Sequence, residues 1–148
     1  MKKVISKLLT FILLFSANLV FADNDNIVFL GATANDNALL YEKDKIVDIG
    51  NNVYMVPVIT YITSANGIIT KGQNIGDFSR YIFVIDCKVG KYAIAGHTHF
   101  HFRNPSDQPS VISQHMISTE MQATQLLRSA IYPGPAENMV VQKICYKF

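Results

Sequence analysis

The sequence predicts an α+β domain, with an antiparallel β-sheet of about five or six strands, one amphipathic helix packed on one face, and one disulfide. Three observations predict it. From residue 27 to residue 102, short runs rich in Val, Ile, Tyr and Phe are separated by clusters of Gly, Asn and Asp. Residues 111–131 change to a three- and four-residue apolar period. A last run rich in Val and Ile closes the chain, so strands lie on both sides of the helix in sequence, which suits a sheet with a helix on one face.

The elements follow in order. Ile27-Val28-Phe29-Leu30 is an apolar run of strand length, and the Gly, Asn and Asp of residues 31–37 turn the chain. A short strand centres on Leu39-Leu40-Tyr41, and Gly50-Asn51-Asn52 reads as a hairpin turn. Residues 53–63 form the longest β-like run, in which Pro57 lacks a backbone donor and so predicts a sheet edge or a bulge. Residues 64–79 make a long connection with a marginal strand at Ile68-Ile69.

Residues 80–87 are apolar on both faces, which places them centrally in the sheet. Lys88-Val89-Gly90-Lys91 is a tight turn into a strand over residues 92–102, whose even positions Tyr92, Ile94, Thr98, Phe100 and Phe102 should face the core. After a polar loop at residues 103–110, Ile112, Met116, Ala123, Leu127 and Ala130 or Ile131 recur at helical spacing. Pro133-Gly134-Pro135 ends that helix, and residues 139–148 are expected to be a final strand carrying Cys145.

The chain has 148 residues and a net charge of +2. Its first 22 residues read as a signal peptide: Lys2, Lys3 and Lys7 precede the apolar stretch 8–20, and Val20-Phe21-Ala22 suits cleavage. The single domain is then residues 23–148, and without the three lysines the charge falls to −1, which excludes a basic nucleic-acid binder. No later apolar run is long enough to span a bilayer, so no transmembrane segment remains after cleavage. No Cys follows the leader, so the mature chain is not a lipoprotein; it is expected in the periplasm, at the cell surface or secreted. In such an oxidising compartment Cys87 and Cys145, the two cysteines of the chain, are expected to pair.

The sharpest chemical feature is His97-Thr98-His99-Phe100-His101. On an extended strand these imidazoles share a face, neighbours roughly 6.6 Å apart at Cα and the outer two about 13 Å apart. The plain reading is a solvated strand face opposite the aromatic positions; a metal site, and a contact surface that titrates near pH 6, are the sharper alternatives. His115, on the expected helix, reaches the strand only if the helix's polar face meets it. No Gly-x-Ser-x-Gly elbow, paired acids, phosphate loop or dinucleotide fingerprint occurs, so no catalytic residue, metal or cofactor is assigned. The seven tyrosines are contact anchors if several share an exposed face, and otherwise core.

Three segments resemble the surface-adhesin protein E family of exported Gram-negative proteins. Leu40-Tyr41-Glu42-Lys43-Asp44-Lys45-Ile46, with Gly50-Asn51-Asn52-Val53, resembles its Tyr-x-Asp-x-x-x-Ile, glycine turn and strand. Ile85-Asp86-Cys87-Lys88 with Lys91-Tyr92 resembles its Asp-Cys-Lys hairpin, and Ile131-Tyr132-Pro133-Gly134 followed by Ile144-Cys145 its Ile-x-Pro-Gly and terminal Val-Cys. The family's tryptophans are missing, since this chain has none; Ile27 or Phe29 and a residue near Ser129 stand in their places. The resemblance implies an antiparallel sheet with a helix, no catalysis, and binding to a host extracellular-matrix or cell-envelope protein. The alternatives are a periplasmic inhibitor of an envelope hydrolase, acting through the loops at residues 64–79 and 103–110, and a periplasmic metal-binding protein using His97 and His99.

Overall fold

The computed structural model describes residues 25–69, 71–102, 109–116 and 125–146. The signal-peptide reading of residues 1–22 lies outside them. The fold is α+β, with the strands β1 (Ile27–Ala32), β2 (Ala38–Glu42), β3 (Val47–Gly50), β4 (Val53–Tyr61), β5 (Phe78–Asp86), β6 (Lys91–His101) and β7 (Ser110–Met116), and the helix α1 (Pro135–Tyr146). All pairings are antiparallel, in the order β1-β2-β4-β5-β6-β7, with β3 pairing β4 beside β2. This makes seven strands among the described residues, two more than the low end of the expectation. Among those residues no helix is long and apolar enough to cross a membrane.

Local chemistry sets the turns. Asn51 and Asn52 take left-handed backbone angles, φ 57° and 63°, which a two-residue hairpin turn requires and asparagine tolerates. At the β5–β6 turn Asp86 accepts from Lys88 N at 2.9 Å through its side chain and from Gly90 N at 2.9 Å through its carbonyl. Gly90, at φ 66°, supplies the left-handed position that closes this turn. Strand β5, expected at the centre from its apolar character on both faces, lies between β4 and β6.

The sheet buries apolar side chains on both faces. On the helix face, Leu39, Tyr41, Val56, Val58, Phe83, Ile85 and Tyr92 pack with Val140, Val141 and Ile144 of α1. On the far face, Ala38, Leu40, Ile59 and Phe78 form one cluster with Phe100 and Phe102, and Val53, Val84 and Ala95 form another with Leu126 and Leu127. Val140 and Val141 are almost wholly buried, and each contributes about 2 kcal/mol of burial free energy.

Three expectations need correcting. The helix expected over residues 111–131 is a strand where it begins: Ser110–Met116 is β7, because the free edge of β6 offers a ladder of backbone partners that local period cannot outweigh. Residues 117–124 lie outside the described residues, residues 125 and 126 are helical as expected, and Leu127–Ser129 is a 3-10 turn. Of the strand expected over residues 139–148, residues 147–148 lie outside the described residues, and 139–146 are instead the last eight of α1. Its buried residues Val140, Val141 and Ile144 are spaced for one helix face, and that spacing prevails over the β preference of valine and isoleucine. Pro133-Gly134-Pro135 therefore starts a helix rather than ending one: Pro135 is the first helical residue, where its missing N–H costs nothing, and Asn138 N donates to Gly134 O at 2.8 Å.

Pro57 lies in an internal strand, without a bulge against β5. On its other side β3 pairs as far as Met55 and β2 begins at Val58, so Pro57 fills the gap between two partners. Nor is Ile68-Ile69 a strand; it follows a 3-10 turn at Ala65–Gly67, where Asn37 Nδ2 donates to Gly67 O at 3.0 Å. A Cβ on Gly67 would lie 1.7 Å from Asn37 Oδ1, so only glycine lets this loop dock.

Cys87, just after β5, is bonded to Cys145 in the last turn of α1, across 58 residues, and neither cysteine is free. Closing a loop of that length stabilises the fold by about 4 kcal/mol in the chain-entropy model. The Cys87→Ser, Cys145→Ser double variant is expected to lose about that much in urea unfolding. A loss below about 1 kcal/mol would show that helix packing alone holds α1 down.

Candidate functional site

The histidine-bearing strand does not alternate as its sequence suggests. Ile82 faces Gly96 while Phe83 faces Ile94, so Ala95 is an extra residue in β6. Beyond this bulge the two faces exchange parity. Tyr92 packs in the helix-face core, whereas Phe100 and Phe102 lie on the far face against Phe78, with ring centroids at 4.7 Å and 6.5 Å. His97 and His99 stand opposite Tyr81 and Ser79, on the same face as the helix but past its end.

The row of cross-strand pairs gives each imidazole a different environment. His99 is only 7 % exposed, and its Nδ1 lies 2.5 Å from Ser79 Oγ. Gln73, from the loop above, directs its Nε2 donor to Ser79 Oγ at 3.2 Å and to His99 Nδ1 at 3.4 Å. With Gln73 Nε2 donating to Ser79 Oγ, the Ser79 hydroxyl and His99 Nδ1 share one short hydrogen bond. Burial, followed by the neighbouring His97, lowers the pKa of His99 and keeps it neutral.

His101 serves another purpose. Its Nδ1 lies 2.8 Å from Oδ2 of the buried Asp77, whose two oxygens also accept from Asn74 N at 2.8 Å and Phe102 N at 3.1 Å. Asp77 thus fastens the loop after residue 73 to the end of β6. Ser79 is 2 % exposed and already committed to His99, so neither the Asp77–His101 pair nor the Ser79–His99 pair presents a nucleophile to solvent.

His97 is half-buried, with ring centroids 5.0 Å from His99, 6.2 Å from Tyr81 and 5.9 Å from His115. His115 is exposed on β7, directly opposite His97. The structure therefore brings His97, His99 and His115 together and separates His101. Among the described residues no three His, Cys, Asp or Glu side chains are already set to hold one ion.

Sequence reasoning missed Gln73, Asp77, Ser79 and Tyr81. Gln73, Asp77 and Ser79 fall within the connection expected over residues 64–79 and Tyr81 within a strand apolar on both faces, and neither reading says anything about register. Sequence reasoning also missed an open cleft of about 680 Å³ between α1 and the first strands, lined by Val28, Tyr41, Ile46, Tyr54 and Ile144 with Lys43, Asp48 and Lys143. On the far face Glu42, largely buried, accepts from Arg80 Nε and Lys45 Nζ, each at 2.6 Å. Of the tyrosines, Tyr41 and Tyr92 are core, Tyr54, Tyr61 and Tyr81 pack against it, and Tyr132 and Tyr146 are exposed.

No protein-family model, no curated protein and no solved structure matches the chain.

Because the folded protein holds His99 below its ordinary value of 6.5, the unfolded chain binds this proton more readily. The stabilisation is complete above pH 6.5 and declines as pH falls from there towards the lower folded value. Urea unfolding between pH 8 and pH 5 is expected to show this loss, and His99→Asn, which keeps an acceptor near Nδ1, to remove the His99 share of it. Identical pH profiles for the two proteins would contradict this account.

Proposed function

We propose that this chain is a non-catalytic exported domain that binds a protein partner at or outside the cell envelope, as the resemblance to the surface-adhesin protein E family implies. One observation carries the reading: exposed apolar and aromatic side chains lie on the β5–β6 turn and on the two segments tied to it, the end of α1 and the stretch before α1. Tyr132 is 71 % exposed, and Ile131 on the same segment, Val89 on the β5–β6 turn and Tyr146 at the end of α1 are exposed as well. Tyr92 exchanges backbone hydrogen bonds with Ile131 at 3.0 Å in both directions, Lys91 Nζ lies 4.7 Å from the Tyr132 ring centroid, and the disulfide ties the turn to the helix.

Backbone fixed in this way presents its aromatic anchors without an ordering cost on binding. Aromatic residues with apolar neighbours are the usual centre of a protein interface. The non-catalytic reading is supported by the burial of Ser79 and Asp77. Export is supported by the leader's lysines and apolar stretch and by a disulfide, which persists in oxidising compartments. The partner class is a host extracellular-matrix or cell-envelope protein.

A specific observation favours a second reading, an inhibitor or accessory module acting on an envelope hydrolase. Ile68, Ile69 and Ile75 are exposed on the loop that Asn37 and Asp77 fasten at both ends. The other loop invoked for this role, at residues 103–110, lies largely outside the described residues.

The mature domain is expected to bind at least one protein on an array of matrix and envelope proteins. Replacing Tyr132 and Ile131 together by alanine should weaken that binding at least tenfold without changing Tm, since truncating an interface anchor costs about 2 kcal/mol. Undiminished binding by that variant, or binding lost instead in Ile69→Asp, would move the contact to the loop.

A further inference from the structure

We propose that His97 and His115 form a binding site for a divalent transition-metal ion of the zinc or copper type, on the exposed surface of the β6–β7 strand pair. The register places the two residues directly opposite one another. Directly opposed side chains on antiparallel strands leave the backbone about 5 Å apart at Cβ, the closest cross-strand approach a sheet provides. Their ring centroids lie 5.9 Å apart. Two imidazoles bound to one ion at about 2.0–2.1 Å hold their ring centres roughly 5–6.5 Å apart, so the pair needs only small side-chain rotations to share an ion.

The surroundings restrict those rotations. His97 is flanked by the Tyr81 ring at 6.2 Å and the His99 ring at 5.0 Å. His99 is itself immobilised by Ser79 and Gln73, so one wall of the site is rigid. His115 is exposed and free to swing over His97, and an ion between them meets solvent. Two nitrogen donors suit zinc or copper and not magnesium or calcium, which take oxygen. With no third side chain already converged among the described residues, water completes the shell. The site is independent of the surface around Tyr132, and neither reading depends on the other.

Zinc chloride titrated into the mature, oxidised protein at pH 7.5 should bind one equivalent more tightly than about 100 µM, because the sheet holds the second ligand at high effective concentration. It should also raise Tm, and magnesium chloride should do neither. His97→Gln and His115→Gln should each weaken zinc binding at least tenfold, while His101→Gln, whose parent residue is committed to Asp77, should bind like the wild type. In the unmutated protein, zinc should protect His97 and His115 from acylation by diethyl pyrocarbonate and leave the rate at His101 unchanged. Wild-type binding weaker than about 100 µM, or equal binding by His115→Gln with no protection of His115, would overturn the proposal.

Discussion

Strand β6 has eleven residues and β5 has nine, and a single extra residue in their ladder, Ala95, decides what each face of the sheet carries. Without it the side chains of β6 would keep one parity from end to end, and Tyr92 would share a face with Phe100. With it, Tyr92 joins the core under the helix, and Ala95 fills a space between Val53 and Val84 on the far face. His97 and His99 then emerge on the helix face beyond the helix. Backbone hydrogen bonding permits this because a bulge leaves one residue unpaired but keeps the ladder on either side.

The remaining architecture follows from covering that face in two ways. Near the β5–β6 turn, α1 lays Val140, Val141 and Ile144 over the apolar positions, and the disulfide anchors its last turn to the end of β5. Farther along the strands the loop before β5 packs on the sheet, with Gln73 and Asp77 as its polar attachments. Apolar packing and polar fastening thus divide one face between them. The polar half holds the buried neutral imidazole of His99, which couples the loop's attachment to pH.

Much of this fold was legible in the sequence where chemistry is local. The turn at Gly50-Asn51-Asn52 needed left-handed residues and has them, and the apolar centre of β5 required burial on both sides and receives it. Legibility failed where local signals conflict with long-range pairing. Residues 110–116 have a helical period but lie beside a free strand edge, and Val140-Val141 prefer strands but are spaced to fit a helix face. For the candidate site, the three histidines of β6 were evident, but not that His101 would be drawn to Asp77 while His115 arrived from the opposing strand. Those contacts join residues 18 to 24 positions apart, and no local pattern records them.

The sequence by itself determined the class of the protein: a small α+β domain with strands delimited by Gly, Asn and Asp, two cysteines available to pair, and a histidine strand as its one concentration of reactive groups. These are properties of composition, turn preference and alternation, which act over a few residues. Only the tertiary structure decided which segment became the helix, which face the histidines took, and which of them meet. Each of those outcomes depends on register between strands, and a shift of one residue exchanges every side chain between the faces.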